Sequence, residues 1–291
     1  MGEAKQIVLR SISASEANAL VRRVHYSGKT VNNSQVHIGI FYNGNLEGAM
    51  QFGPSLDKRK IQGLVEGTKW HEFIELNRMA FTDKLPRNSE SRAIGIAIKM
   101  LKKHAPQIKW IISFADATQC GDGAIYRASG FVLTGIKVNN QIWIAPEGHA
   151  RESRMSLTDP SSERQKQIAR SICRVSATKG RNITHSASLR PGIGSIKTAA
   201  SPGGGSSMKE YVAAGFKPLE GFQLRYIYFI DPDYKQRLTV PILPFSEIDR
   251  QGAGMYKGQK RVESADSGTA DFQSAGGGVI PTSTLHIKND G

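Results

Sequence analysis

The stretch from Glu75 to Phe131 constrains this chain more than any other. Glu75-Leu76-Asn77-Arg78-Met79-Ala80-Phe81 is a short apolar run and reads as a strand. Asn88-Ser89-Glu90-Ser91 then supplies capping residues. In the helix that follows, Ile94, Ala97, Ile98 and Leu101 share one face, and Lys99, Lys102 and Lys103 fall largely off it. Pro106 ends that helix. Trp110 to Asp116 reads as a buried strand that delivers Asp116 at its carboxyl end. Gly123 to Ser129 is a short helix, and Gly130 suits the position just past its end. The order predicts an α/β (α+β) fold, a mixed central sheet flanked by helices. Ligands of such sheets sit beyond the carboxyl ends of the strands.

Within the stretch, Arg92-Ala93-Ile94-Gly95-Ile96-Ala97 places small residues where a helix begins. Free backbone N–H groups and the positive helix end can hold a pyrophosphate there if no side chain blocks the approach. Tyr126-Arg127-Ala128-Ser129-Gly130-Phe131 follows the second strand. Strand, small-residue helix start, strand and Tyr-x-x-x-Gly-Phe together resemble the GNAT acyltransferase superfamily. The resemblance implies that the helix start holds an acyl donor's pyrophosphate and that Tyr126 protonates its leaving group.

Charge bounds the partner. The chain has 291 residues and a formal net charge of +14, which favours a polyanion, nucleic acid first. Residues 151–210 carry eleven Lys and Arg against four Asp and Glu, a surplus of seven. No apolar run is long enough to span a bilayer. The segment Met1 to Gln6 lacks a signal-peptide core, and Gln6 breaks a myristoylation pattern. These features predict a soluble, intracellular protein. The only cysteines, Cys120 and Cys173, give no disulfide framework or Cys-rich zinc site.

The rest of the chain reads in order. Ile7 to Ile12 is a first strand, and Ser13-Ala14-Ser15-Glu16 opens a helix with capping chemistry. The loop from His25 to Ser34 is rich in hydrogen-bonding groups. Val36 to Tyr42 and Leu46 to Phe52 form a hairpin over Asn43-Gly44-Asn45. Gly53 to Gly67, with Asp57-Lys58-Arg59-Lys60, reads as a solvated basic connector. Residues 132–138 and 141–144 are further strands, and a helix is expected from about 160 to 175. Gly, Ser and Pro dominate 178–207, a loop or linker. Tyr211-Val212-Ala213-Ala214-Gly215-Phe216 repeats the spacing of Tyr126 to Phe131, either a second helix-to-strand unit or a coincidence. Leu224 to Ile230 is a strand expected to rejoin the first sheet, and the prolines in 238–245 limit that run to an edge or an extended pass. The expected division is a GNAT-like core over 1–150 and a basic insertion over 151–210 that contacts DNA. A return strand in 211–261 and a disordered tail over 262–291 complete it.

A narrower resemblance rests on His25-Tyr26-Ser27-Gly28-Lys29 with Asn32-Asn33-Ser34, Glu75-Leu76-Asn77-Arg78, Ser91-Arg92-Ala93-Ile94-Gly95, Phe114-Ala115-Asp116-Ala117, Ile125 to Phe131 and Arg225 to Pro232. These are similar to the Mom family of bacteriophage enzymes. The resemblance implies conversion of DNA adenine to N6-carbamoylmethyladenine, which blocks host restriction, in the cytoplasm of the bacterial host. It marks Tyr26, Arg78, Ser91, Asp116 and Tyr126, with His25 beside them. Asp116 is the candidate to accept the N6 proton. Arg78 and Arg92, with Ser91, Gly95 and Ala97, are candidates for the donor site. Tyr26 or Tyr42 can stack on an adenine flipped out of duplex DNA. Asp116 can equally cap the following helix, Tyr126 can be a core aromatic, and Arg78 can pair with Glu75 or Asp83.

The donor stays open between acetyl-CoA and an aminoacyl donor such as glycyl-tRNA. An iron ion on His25, Tyr26 and Asp116 is a minority expectation. No Asp/Asn-Pro-Pro-Tyr/Phe motif is present, which argues against simple methylation. The alternatives are an N-acetyltransferase acting on a protein or small amine, and a DNA-binding protein that kept the fold without catalysis.

Overall fold

The computed structural model describes residues 2–146, 151–159, 163, 165–168, 208–256 and 259–260. The chain forms two compact units. One comprises Met1–Ile136 with Gln223–Gly291, the other Lys137–Phe222.

The first unit is built on a seven-stranded sheet. Its members are β1 (Val8–Ser11), β2 (Val36–Tyr42), β3 (Asn45–Gly53), β4 (Phe73–Phe81), β5 (Trp110–Asp116), β6 (Val132–Val138) and the late strand Phe222–Phe229. They lie in the order β1-β2-β3-β4-β5, then Phe222–Phe229, then β6. β4 and β5 are parallel, and the helix α3 (Ser89–His104) supplies the crossover that such a pair needs. The pairs β1–β2, β2–β3, β3–β4 and β5 with the late strand are antiparallel, so the sheet is mixed, as the sequence predicts.

Local chemistry explains the elements. Ser13 accepts from the Glu16 amide and Glu16 reaches back to the Ser13 amide, a capping box that opens α1 (Ala14–Val24). Asn43 and Gly44, with φ of 50° and 79°, make the two-residue turn between β2 and β3. Ala93, Ile94, Ala97, Ile98 and Leu101 form the buried stripe of α3.

One expectation is corrected. The connector 53–67 is not merely solvated. It contains the short helix α2 (Lys58–Gln62) and sends Ile61, Leu64 and Val65 into a core cluster with Phe73, Trp110, Ile112 and Ile227. Residues 238–243 make an extended pass with isolated bridges at Val65–Leu238 and Leu133–Leu243.

β4 and β5 are hydrogen-bonded only over Phe73–Trp110, Ile74–Ile111 and Glu75–Ile112, although both strands continue. The sheet therefore opens between their carboxyl halves, and this opening makes the cleft.

The second unit has its own three-stranded sheet, with Ile142–Ile144 between Arg151–Ser153 and Lys217–Pro218. Trp143, Leu157, Ile168, Tyr211 and Phe216 form its core. Buried Asn139 ties it together: its amide donates to Ile142 O and Leu219 O, and its oxygen accepts from the Gln141 and Ile142 amides. The expected helix from 160 lies largely outside the described residues, and the expected linker and tail lie wholly outside them. No helix among the described residues is long and apolar enough to cross a membrane.

The repeated hexapeptide has a physical cause. In the helix α4 (Ala124–Ala128), the Phe131 amide bonds Tyr126 O at 3.0 Å and the Gly130 amide bonds Arg127 O at 3.1 Å. In the second unit, the Phe216 amide bonds Tyr211 O at 3.0 Å and the Gly215 amide bonds Val212 O at 3.0 Å. Both glycines have positive φ, 81° and 92°. The rings meet at 5.4 Å and 5.3 Å between centroids. Each copy is a Schellman helix exit with its accompanying hydrophobic contact.

Candidate functional site

The opening between β4 and β5 is a cleft of about 160 Å³. Pockets for drug-sized ligands run to roughly 300–1,000 Å³, so this one suits the reacting end of a molecule. β4 contributes Glu75, Leu76, Asn77 and Arg78, and β5 contributes Phe114, Ala115 and Asp116. Tyr26 enters from the loop after α1, and Gln223 from the late strand.

Asp116 is held on every side. Its Oδ1 accepts from the Thr118 amide at 3.0 Å and from the Thr118 hydroxyl, and its Oδ2 from Gln119 Nε2 at 3.1 Å and the Tyr26 hydroxyl at 3.4 Å. A carboxylate has about four acceptor sites, so these four donors occupy it. Its carbonyl also takes the amides of Gln119, Cys120 and Gly121. The position that looks like a helix cap is the anchor of a tight turn.

Tyr26 leaves 46 % of its surface exposed, yet its hydroxyl is turned into the site toward Asp116. Loss of water there, followed by the Asp116 charge, pushes the phenol well above its ordinary value. His25 packs on Tyr26 with ring centroids 4.3 Å apart. Its Nδ1 accepts from the Ser27 amide at 3.2 Å and lies 2.8 Å from the Ser27 hydroxyl. Burial, aided by the Arg78 charge, lowers its pKa to about 3, so the imidazole is neutral.

Arg78 places two of its five N–H donors on main chain, Nε on Lys29 O at 3.1 Å and Nη1 on Asn77 O at 2.8 Å. Asn77 accepts from Ser34 Oγ at 3.2 Å. The two residues clamp the 25–34 loop to β4, which sets Tyr26 over Asp116. Glu75 faces the same cleft. Burial raises its pKa against the opposing pull of nearby Ser55, Asn77 and Arg78.

Tyr126 does not line the cleft. It is buried under β5, with its hydroxyl 2.8 Å from Ser113 Oγ, and burial pushes it up to about 12. A phenol at that value holds its proton more firmly than an ordinary tyrosine.

The four α3 residues expected at the donor site also stand outside the cleft lining. The helix begins at Ser89, behind Asn88 at φ 68°, and the Arg92 amide already bonds Asn88 O at 3.2 Å. The backbone donors lacking helical acceptors therefore belong to the first turn, around Glu90 and Ser91, and not to Gly95 or Ala97. This corrects the expectation of free amides across 92–97. Ser91 Oγ bonds Asn88 O at 3.3 Å, and Arg92 is exposed. A side chain added at Gly95 would meet nothing within 4 Å, so the helix is open there. The first turn of α3 does reach the turn after β5, because Glu90 and Asp116 both raise the Cys120 thiol, after burial the main cause, to about 11.

Glu90 sits where a helix end favours a carboxylate, yet burial raises it from 4.5 to about 7. The folded-state pKa is above the unfolded one, so stability is lost as pH climbs between those values. Glu90→Gln is expected to flatten that part of the profile and to raise stability at pH 8 by roughly 1–3 kcal/mol. Melting curves at pH 5 and pH 8 check it, and identical pH 8 curves would count against it.

The iron expectation finds a poor donor set. Four donors occupy Asp116, and Ser27 occupies His25 Nδ1. Among the described residues no group of three His, Cys, Asp or Glu side chains is placed to hold an ion.

Sequence reasoning missed Glu75, Phe114 and Gln223 as cleft residues. Glu75 had a signal, a carboxylate in the apolar opening of a strand, two residues before the polar pair Asn77-Arg78. Phe114 had one too, since strand alternation puts it on the face of Asp116.

A mixed sheet opened between two parallel strands, with carboxylates and a tyrosine in the gap, defines an α/β protein with a compact polar cleft. The chain belongs to the Mom protein family, which matches residues 6–185. A curated relative, the methylcarbamoylase Mom of Escherichia phage Mu, is 39% identical over 132 residues, 45% of this chain and 54% of that one. The chain thus spans about half the length of that relative. Among solved structures, a GNAT-family acetyltransferase from Streptococcus pneumoniae is similar at 14% identity and TM-score 0.33, over 46% of this chain and 89% of that one. The ribosomal-protein-S18-alanine N-acetyltransferase of Escherichia coli is similar at 14% identity and TM-score 0.33, over 50% and 88%.

Proposed function

We propose that this chain modifies phage DNA by transferring a group to adenine N6, giving N6-carbamoylmethyladenine and so shielding the DNA from restriction. The family match carries the proposal, since residues 6–185 include every cleft residue except Gln223. The net charge of +14 suits a DNA substrate.

Adenine N6 is a weak nucleophile, because its lone pair is delocalised into the ring. A nearby base must take its proton as the new bond forms. Glu75 is the better candidate for that role. It lines the cleft and burial raises its pKa, whereas the Asp116 oxygens are already occupied by four donors. Asp116 then acts as a positioning group, fixing Tyr26 at the mouth, where the exposed ring can stack on a base drawn from the duplex. The target base enters the cleft alone, in keeping with its small volume.

The donor is an activated acyl compound. A carbamoylmethyl group joins N6 through a methylene and ends in an amide nitrogen. Direct acetyl transfer would instead leave an N6-acetyl amide, so acetyl-CoA would need added nitrogen and redox chemistry. A glycyl donor, such as glycyl-tRNA, holds the right atoms but must rearrange.

The test is nucleoside mass spectrometry of DNA from cells expressing the chain, with labelled glycine and labelled acetate in separate cultures. A carbamoylmethylated adenosine is expected with the native chain and its loss with Asp116→Ala. Unchanged nucleosides from the folded native chain, or acetyl transfer to a polyamine or peptide with no DNA product, would overturn the reading.

A further inference from the structure

The sheet face turned away from α4 carries groups that the proton transfer does not use. Side chains alternate along β5. Ser113 points toward α4, with its Oγ 2.8 Å from the Tyr126 hydroxyl. Ala115 does too, since its Cβ lies 3.0 Å from where a Gly123 side chain would begin. Phe114 and Asp116 therefore point to the other face. In the antiparallel register Phe114 stands opposite Arg225, and Asp116 opposite Gln223. Directly opposed residues share a face with Cβ atoms about 5 Å apart.

In the next two rows back on that face, Ile112 with Ile227 and then Trp110 are sealed in a core cluster. The cover stops there, and Phe114 is 41 % exposed on a central strand. Arg225 beside it bonds only neutral oxygens, Nε to Thr134 Oγ1 at 3.0 Å and Nη2 to Thr134 O at 2.6 Å. Among the described residues no carboxylate pairs with it, and burial lowers its pKa. Gly135 leaves it room, since a Cβ there would lie 3.2 Å from Nη2. A half-buried guanidinium without a counter-charge, next to an uncovered ring, matches the two parts of a nucleotide. The ring takes the base, and the guanidinium takes the phosphate.

We propose that Phe114, Arg225 and Gln223 form the acceptor platform: Phe114 stacks on the base at the cleft mouth, Arg225 holds the adjoining phosphate, and Gln223 reads the base. Gln223 lines the cleft and offers both a donor and an acceptor, the pair that adenine presents on its N6/N7 edge. The proposal rests on the DNA reading above. It assigns the nucleotide to the acceptor strand and not to a nucleotide carried by the donor.

The test uses the full chain and fluorescence anisotropy with duplexes holding one unpaired adenine or an abasic position. Phe114→Leu is expected to weaken binding to unpaired adenine about ten-fold and to leave the abasic duplex nearly unchanged. Arg225→Gln is expected to weaken both duplexes and to reduce the salt slope by about one. Gly135→Ala, which crowds the guanidinium, should act in the same direction and serves if Arg225→Gln does not fold. Acetyl-CoA binding, measured by calorimetry, should be unchanged in every variant. Unaltered DNA affinity and salt slope in folded Phe114→Leu and Gly135→Ala would overturn the platform, and so would loss of acetyl-CoA binding in place of DNA binding. If the native chain modifies adenine while the variants bind DNA normally, only the platform fails. If the native chain binds no DNA, the platform and the DNA reading fail together.

Discussion

Glu75→Gln is expected to leave the fold intact and to cut adenine modification about 10²–10⁴-fold, the range that a positioned general base contributes. The substitution keeps size and shape, exchanges one acceptor oxygen for an NH2 donor, and removes the charge and with it the capacity to take a proton. Glu75 lies one residue pair past the well-packed start of β4, where its strand parts from β5. Burial is the main reason its carboxyl is raised above 4.5. A base must be deprotonated to act, so the native rate should climb with pH through that raised value and then level off. The Gln variant should show a low, flat profile. Asp116→Asn provides the contrast. It changes a residue that receives four hydrogen bonds, so it should also lower the melting temperature. Full turnover by Glu75→Gln, measured on the same DNA, would remove Glu75 from the chemistry.

Gly53→Ala is expected to damage stability and site together. A methyl group there would collide with the Asn33 carbonyl and lie 2.8 Å from Asn77 Oδ1. Neither neighbour is free to yield. Asn33 also donates to Pro54 O, and Asn77 accepts from Ser34. Overpacking of this kind costs roughly 3 kcal/mol, which corresponds to about 5 °C in Tm for a chain of this size. Because the displaced loop carries Tyr26, activity should fall further than the loss of folded protein explains. Gly95→Ala is the control. It meets nothing within 4 Å in the interior of a helix, so it should stabilise by about 0.5–1 kcal/mol. A Gly53→Ala protein that melts like the native chain would show that the loop is not seated as described.

What could be read from the residues was mostly what is decided locally. Trp110 to Asp116 announces a buried strand by its apolar run, and the strand has those same ends. Ser13 with Glu16, and Gly130 after Ser129, are helix punctuation written in side-chain and backbone chemistry. The connector was not legible because the charged run Asp57-Lys58-Arg59-Lys60 dominates its composition, while the residues that bury it, Ile61, Leu64 and Val65, are only three and carry the spacing of a single turn. The start of α3 was misplaced by one turn, since Asn88 takes a left-handed conformation that its sequence permits but does not demand.

At the site, Asp116 and Tyr26 were found by position and do meet. Gln223 joins them only through a pairing between distant strands, which no local pattern records, and Glu75, a charge visible in its own strand, is brought to them by the β4–β5 pairing. Arg78 was read as a phosphate ligand, yet the visible partners of its guanidinium are two carbonyls.

The twin helix exits at Tyr126–Phe131 and Tyr211–Phe216 limit what that spacing can mean in this family. Both hexapeptides obey one rule of chain geometry, so a search keyed on that spelling would count two signatures where the molecule has two full stops. The aromatic at the head of each phrase packs on its own phenylalanine. A change to phenylalanine at position 126 keeps the helix exit and removes the hydroxyl that lies 2.8 Å from Ser113 Oγ, so the spacing alone identifies a way of ending a helix and not a reaction.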